Sequence, residues 1–542
     1  MTERPSPERK GLFQRSFMDN HFRFDKDTAV VETTGGKVRG YEYRGMSIFK
    51  GIPYAKARRF HRPEPATWEG VKECAVYGPI CPVVSEWVPG DDLLTPHRYW
   101  PKDENCQNLN VWTPGLDEEK RPVLVWIHGG GHEFGSSIEH VAYDGENMCF
   151  YGQAVVVSLN HRLNILGYFD VSDFGEEYED SANNGTNDLI AALRWIRDNI
   201  ARFGGDPGNV TLMGQSGGGM KITELLQTPE ADGLFHKAVN MSGVFPREIT
   251  ESLKPEGAES GRRIVEAVLK KMRLKDVAAL EKAPYEAFAA AWKAVSPALG
   301  KKGFYVGGNG PKKNKFYFGD PLEVGFRKET AQIPMVVGST LGEFFTSFPG
   351  EANVKKMTKK EQRAFVSALY GPEALAYEAA FKEAYPERNL AELVTTDFVC
   401  RAGVLQYVSM RSAMNDCTYN YIFCQDSPVY GGRAPAHCAD IPYLFRNTSL
   451  VPSAQIPRVT PKLEQEIFDS LLVFARSGDP NSPGLALSGD AALPAWHPVK
   501  LGAIHTMLLD RNPREVLNHD LALIPRIAQA FTPVVQRLFF GK

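Results

Sequence analysis

The stretch VTLMGQSGGGMKITELLQ, Val210–Gln227, decides the fold. Its first four residues are a short apolar run that suits a strand, and Met220–Gln227 reads as a helix. Between them, Gly214-Gln215-Ser216-Gly217-Gly218 matches G-x-S-x-G in the setting that pattern needs, a strand turning sharply into a helix. A serine on so tight a turn leaves no room for Cβ atoms two residues before and two after it, which explains Gly214 and Gly218. The turn lifts the hydroxyl above the strand end. The helix that follows directs its free N–H groups and positive dipole end toward any oxyanion developing there. The alternative is an ordinary strand–helix turn, because glycine-rich loops match the pentapeptide by chance.

Outward from this turn, short apolar runs alternate with helical patterns. Val123–Ile127, Ala154–Leu159, Ala238–Met241 and Ile333–Val337 are such runs, and they suit parallel strands covered on both faces. Leu189, Leu193, Ile196, Ile200 and Phe203 share one helical stripe, with Asn184 or Thr186 to cap its start and Gly204 its end. The alternation predicts an α/β fold with a large, mostly parallel central sheet. Residues 1–115 are loop-rich and read as a small hairpin layer. Two stretches, roughly 245–330 and 350–415, read as helical insertions covering one edge of the sheet.

After the Val123–Ile127 strand comes His128-Gly129-Gly130-Gly131. A glycine run lets backbone N–H groups approach a substrate oxygen, the arrangement that forms half of an oxyanion hole. The N–H after the nucleophile, that of Gly217, would complete it. A plain glycine turn is the alternative. His128 and His132 are four residues apart, but the glycines between them argue against a helix and no His-Glu-x-x-His pattern exists, so no metal is expected.

A serine hydroxyl needs a hydrogen-bonded base and a carboxylate that orients it, in the chain order Ser, Asp/Glu, His for this type of fold. Five histidines follow Ser216: His236, His437, His497, His505 and His519. His236 is too close to leave room for an acid-bearing strand, and His505 lies in an apolar strand-like stretch. His437 sits in a Pro/Ala-rich loop after the strand-like run TYNYIFC, where such a base belongs. Glu343 follows the end of the IPMVVG strand, and Asp440 is the competing acid, although it lies after the base.

Composition excludes other classes. The chain has 542 residues, 43% hydrophobic and 23% charged, which rules out a disordered chain, a collagen or a coiled coil. With 62 Lys and Arg against 65 Asp and Glu, the net charge of -3 gives no field for nucleic acid or an anionic membrane surface. The segment MTERPSPERKGLFQRSF holds no apolar run of signal-peptide length, and no stretch approaches the roughly 20 residues that span a bilayer. A soluble cytoplasmic protein is expected. Eight cysteines without a Cys-x-x-Cys pair form neither a disulfide framework nor a zinc motif. The sequons at Asn184, Asn209, Asn240 and Asn447 read as chance matches.

With these pieces in hand, the sequence resembles the type-B carboxylesterases, the cholinesterase/carboxylesterase branch of the α/β-hydrolases. The resemblance rests on GGKVRG (Gly35–Gly40), FKGIPYA (Phe49–Ala55), ENCQNLNVWTP (Glu104–Pro114), WIHGGG, LNHRLNILGYF (Leu159–Phe169), the run from Asn183 to Gly219, NMSG (Asn240–Gly243) and AHCADIPYLF (Ala436–Phe445). It covers nearly the whole chain. It implies a single α/β-hydrolase domain over 1–542, with a small N-terminal sheet and with the two helical insertions over a deep gorge. It also implies a catalytic triad of Ser216, Glu343 and His437, oxyanion donors at Gly130, Gly131 and Gly217, and no cofactor or metal. The family usually has Glu before the nucleophile, where this chain has Gln215, so a preference for cationic esters is not expected. The residue after the nucleophile is often Ala and here is Gly217, which keeps the donor. His132-Glu133 replaces the expected aromatic after the glycines, with Phe134 next. Cys81 and Cys106 fall where secreted relatives form a disulfide; here they are expected to stay reduced.

Arg162, Asp188, Asp206 and Ser242 read as structural pairs and supports. Residues 83–101 mix aromatics with His97 and Arg98, which suits either a gorge mouth selecting an aromatic or acidic acyl group or a solvated loop. The basic stretch Lys301–Lys315 reads as a solvated loop. The expected activity is hydrolysis of small-molecule carboxylic esters through an acyl-enzyme on Ser216. A non-catalytic adhesion protein would have lost the nucleophile, and an acyltransferase or a hydroxycinnamate esterase would keep the mechanism and change the acceptor or the substrate.

Overall fold

The computed structural model describes residues 21–85, 95–246, 261–302, 304–344, 356–429, 432–482 and 493–528. Its frame is a large sheet whose strands, in chain order, are β1 (Phe22–Arg23), β2 (Tyr41–Tyr43), β3 (Met46–Pro53), β4 (Asn108–Thr113), β5 (Arg121–Ile127), β6 (Val155–Leu159), β7 (Gly205–Gln215), β8 (Lys237–Met241), β9 (Met335–Thr340), β10 (Thr418–Phe423), β11 (His505–Leu509) and β12 (Arg514–Leu517). In space they run β1-β2-β3-β4-β6-β5-β7-β8-β9-β10-β11-β12. The stretch from β6 to β11 is parallel throughout, and antiparallel strands flank it on both sides. The swap of β5 and β6 marks the point where the chain reverses direction across the sheet, the position at which open α/β sheets form their binding crevice.

The parallel strands are apolar without alternation because both faces are covered. In β5, Val123, Val125 and Ile127 enter one core while Leu124 and Trp126 enter the other. On the first face lies helix α1 (Asn184–Asn199), which carries Leu189, Leu193 and Ile196 into that core beside α2 (Gly217–Leu226). The insertions supply α3 (Arg262–Met272), α4 (Tyr285–Gly300), α5 (Lys359–Tyr370), α6 (Ala374–Ala384) and α7 (Val399–Ser412). Helices α3 and α4 enclose their own apolar cluster with Phe60, Phe169 and Phe288. Helix α8 (Thr460–Ser477) buries Phe468, Leu472 and Phe474 against the opposite face. Among the described residues, no helix is long and apolar enough to cross a membrane.

Two expectations are corrected. The N-terminal region is not wholly a separate layer. Val30–Thr33, Gly36–Arg39 and Val71–Glu73 form a small sheet, but β2 and β3 join the large one. Ile48, Phe49 and Ile52 of β3 are fully buried, so pairing with β4 keeps them from water. Neither Asn184 nor Thr186 caps α1. A turn of tighter helix, Ser181–Asn183, runs into it, so Asn184 is already helical, and the Thr186 hydroxyl donates to Glu224 instead. Gly204, in the left-handed region at φ 74°, ends the helical stretch as expected. The N-terminal segment 1–20, residues 86–94 of the aromatic loop, and 247–260 and 345–355 of the insertions lie outside the described residues.

Candidate active site

The parallel strands deliver their loops to one end of the sheet. β7 ends at Gln215 and α2 begins at Gly217, leaving Ser216 alone on the turn at φ 57°, ψ -125°. That left-handed backbone is strained for a serine and is held by its surroundings. The Ser216 N–H donates to Met241 O of β8 at 2.8 Å. A Cβ on Gly214 would sit 2.5 Å from the Gly218 carbonyl carbon, and one on Gly218 would sit 2.0 Å from Ile127 O. The two glycines flanking the serine are therefore sterically required. Ser216 is half-buried, and no hydrogen bond holds its hydroxyl among the described residues.

The loop after β5 folds over this turn. A Cβ on Gly129 would lie 3.4 Å from Ser216 Cβ. Gly130 and Gly131 adopt φ of 83° and 59°, which lets the chain double back through Phe134 N and Gly130 O. Gly217 packs directly on Gly131: a Cβ there would stand 2.3 Å from Gly131 O and 2.5 Å from Gly131 N. Gly217 thus does more than preserve a donor; the loop occupies the space an alanine methyl would need. Among the described residues, no backbone carbonyl outside α2 takes the N–H groups of Gly130, Gly131 or Gly217.

Glu343 and His437 meet across two loops that pair as a short parallel bridge. The His437 N–H donates to Glu343 O at 3.0 Å, and the Gly342 N–H donates to Pro435 O at 3.0 Å. The side chains follow, with His437 Nδ1 on Glu343 Oε2. The other carboxylate oxygen accepts from Ser242 Oγ at 2.5 Å and Thr340 N at 2.7 Å. Glu343 is 1% exposed, so these donors do the work that water would otherwise do.

The Gln215 amide nitrogen lies 3.1 Å from His437 Nε2 and 3.3 Å from Nδ1. A donor in line with one ring lone pair would be about 5 Å from the other nitrogen, so near-equal distances place the amide over the face of the ring. The Phe344 ring, 4.3 Å away between centroids, then has the opposite face. Cys438 Sγ donates to Gln215 Oε1 at 3.3 Å and fixes the amide from behind. The ring is held between the two groups. Asp440 is engaged elsewhere, accepting from Tyr421 OH at 2.7 Å.

Beneath the glycine loop lies a buried polar cluster. Lys221 of α2 donates to His128 O at 3.2 Å, and burial pulls its ammonium down to about 8. Burial also pushes the Glu139 carboxyl up to about 7, against a Ser136 N–H and the Lys221 charge. His128 and His161 stack at 5.1 Å, both held well below the usual imidazole range by burial first and Lys221 second. His132 pairs with Glu224, so it is not part of a metal set with His128. Beside the loop a cavity of about 220 Å³ is lined by His97, Arg98, Tyr99, Trp100, Lys102, Phe134 and Glu139 among others. The aromatic segment, as far as it is described, therefore borders a cavity next to the loop after β5.

The expected supports take their places. Arg162 and Asp188 form a buried two-pronged pair at 2.9 and 2.7 Å. Asp206 accepts from Gly208 N at 2.8 Å in a turn, and Ser242 holds Glu343. Lys312 binds the buried Asp170 at 2.5 Å, which anchors the basic stretch to the fold. Cys81 and Cys106 are buried, unbridged thiols. Sequence reading did not find the parts played by Gln215, Thr340, Phe344, Lys221 and Glu139. Of these, only Gln215 carried a signal, as a departure from the family pattern.

The model of the Carboxylesterase family matches residues 27–523. Para-nitrobenzyl esterase of Bacillus subtilis (strain 168) is 31% identical over 472 residues, covering 84% of this chain and 91% of that protein. Phenmedipham hydrolase of Pseudarthrobacter oxydans is 31% identical over 466 residues, 83% of this chain and 90% of that one. Among solved structures, an esterase from Clostridium hathewayi described as hydrolysing aliphatic aromatic polyesters superposes with a TM-score of 0.88 at 43% identity, covering 94% of this chain and 100% of that one.

Proposed function

The chain belongs to the carboxylesterase family and is a serine hydrolase of carboxylic esters, and from that premise we propose that Ser216, Glu343 and His437 are its catalytic triad, with the N–H groups of Gly130, Gly131 and Gly217 as oxyanion donors. The observation that carries this reading is the joining of Glu343 to His437, whose ring lies against Gln215, the neighbour of a serine on a strained elbow, near a loop of unpaired glycine N–H groups. Ser216 Oγ attacks the ester carbonyl as its proton passes to His437 Nε2. Nδ1–H stays on Glu343, which stabilises the imidazolium without taking its proton. The glycine N–H groups bind the oxyanion, each worth about 3 kcal/mol in the transition state. The imidazolium then protonates the leaving alcohol. Water, activated by the same ring, releases the acid from Ser216.

The substrate class is read from Gln215 and from the cavity next to the loop after β5. Gln215 places no charge beside the nucleophile, so nothing there attracts a cationic alcohol. The cavity beside the loop offers Tyr99, Trp100 and Phe134 with charges of both signs from Arg98, Lys102 and Glu139, which suits neutral aromatic esters. Similarity to a polyester-hydrolysing esterase supports the same class. The test is Ser216→Ala: it abolishes p-nitrophenyl acetate turnover and fluorophosphonate labelling while the circular dichroism spectrum stays unchanged. Turnover retained in that variant would overturn the triad.

A further inference from the structure

At the far edge of the large sheet, three side chains from three separate segments converge. His505 opens β11, Glu515 lies in β12, and His497 comes from the stretch that precedes β11. His497 Nδ1 lies 2.8 Å and His505 Nδ1 3.1 Å from the same oxygen, Glu515 Oε2. All three donor atoms fall within 4.8 Å of one another, and the two imidazole rings stand 5.3 Å apart. Among the described residues this is the one such cluster of metal-ligating groups.

The segments are held in place independently of the cluster. β11 and β12 pair in register with Met507 opposite Glu515, which sets His505 and Glu515 diagonally on one face. The third segment is docked on β10 by Val499 N to Thr418 O at 2.7 Å and by Trp496 Nε1 to Asn420 O at 3.1 Å. The second carboxylate oxygen is also fixed, accepting from the His497 N–H at 2.5 Å. The three donors are thus oriented before any ligand arrives, and the carboxylate has the outer-shell hydrogen bond typical of metal-binding groups.

The geometry suits a small divalent ion. Ligands at about 2.0–2.1 Å in a tetrahedron stand about 3.3 Å apart. The observed 2.8 and 3.1 Å to the carboxylate oxygen need only a few tenths of an ångström of spreading, and the two imidazole nitrogens, within 4.8 Å of each other, close toward the same spacing by rotation of the exposed His497 side chain. Each neutral ring would coordinate through Nδ1 with its proton moved to Nε2. His497 keeps 61% of its side chain exposed, so water can reach the fourth position. We propose that His497 Nδ1, His505 Nδ1 and Glu515 Oε2 form a surface site for a divalent transition-metal ion of the zinc class, completed by water. The ion ties the sheet edge to the segment before it. The site lies four strands from β7, about 20 Å away across the sheet, and is independent of the triad.

The experiment is a Zn²⁺ titration of the chelator-treated full chain by calorimetry, repeated with Co²⁺ and read by its visible d–d bands. The expected result is one equivalent of metal with tetrahedral Co²⁺ bands, weakened at least tenfold by Glu515→Gln or His505→Ala. His497→Ala, at an exposed side chain, serves as a third variant should either of the others fold poorly. Each variant is used once its metal-free p-nitrophenyl ester turnover matches that of the original chain. Identical titrations in original and variant chains, or no binding by the original chain, would overturn the site. Ser216→Ala retains the metal isotherm in full, so failure of the metal site and failure of the triad are separable.

Discussion

The two sides of the active site are built on opposite principles. On the nucleophile's side, β7, α2 and the loop after β5 meet backbone to backbone, and glycines at 129, 214, 217 and 218 make the approach possible. Side chains only brace it from behind, as Lys221 does on His128 O and Asn240 on Gly219 O. On the base's side, Glu343 and His437, 94 residues apart, are joined by side-chain and backbone hydrogen bonds, with Ser242, Thr340 and Gln215 as further props. The first side is fixed by the absence of atoms, the second by a chain of polar contacts. A methyl group should therefore break the first, whereas the second should yield by degrees except at the base itself.

Loss of the base tests the second side at its strongest point. His437→Ala leaves the serine without a proton acceptor and should lower kcat by about 10⁵-fold on p-nitrophenyl butyrate, with binding of a non-hydrolysable ester analogue unchanged. A loss of only tenfold would show that another group accepts the proton and would remove the contrast. Gly217→Ala tests the first side. Its methyl would sit 2.3 Å from Gly131 O, so the oxyanion loop must retreat. Losing good geometry to one N–H donor costs about a hundredfold in kcat with little change in KM. A silent Gly217→Ala would mean that the loop moves freely and that the nucleophile's side is no tighter than the other.

The same contrast explains what could be read from the chain. The nucleophile's side is local: the turn, its glycines and the flanking strand and helix are contiguous, and their spacing dictates the chemistry. His437 and Glu343 could be located only as loop residues beyond strand ends, with chain order favouring Glu343 over Asp440 and the family resemblance implying the same choice. The props were invisible because they arise from approach in space. Gln215 reaches His437 across 222 residues, and no periodicity encodes that. The joining of β2 and β3 to the large sheet was hidden for a similar reason, since a hairpin's sequence specifies its own pairing but not the third strand beside it.

Gln215 probes the base's side more gently. Its amide lies on the face of the His437 ring, so replacing it by an acid puts a charge there without changing shape. Gln215→Glu should favour the imidazolium and move the acid limb of the kcat/KM profile upward by about one pH unit. On the acid limb that is a several-fold loss, recovered on the basic side of the profile. An unmoved limb would show that the side chain at 215 does not sense the ring's charge, and would leave Glu343 as its main electrostatic partner.

The smallest effect returns to the nucleophile's side and asks whether its rigid backbone is also electrostatically tuned. A Cβ on Gly135 would lie 3.0 Å from Glu139 Oε1 and 2.7 Å from Gly129 O, which places that carboxyl directly behind the oxyanion loop. Burial has raised Glu139 to about 7 and lowered Lys221 to about 8. Below pH 7 the first is neutral and the second charged, so this pair adds positive charge behind the loop, which favours an oxyanion. As pH rises through 7 and then 8, Glu139 gains its charge and Lys221 loses its own. Both changes act in the same direction, and kcat should fall on the basic side. Screened at an effective ε of about 40, between the protein and water limits, a unit charge behind the loop alters the transition state by about 1 kcal/mol. Glu139→Gln should therefore hold kcat about threefold above the original chain at pH 8 while matching it at pH 6. Coincident profiles would show that the loop's N–H groups bind the oxyanion unaided by the charges behind them.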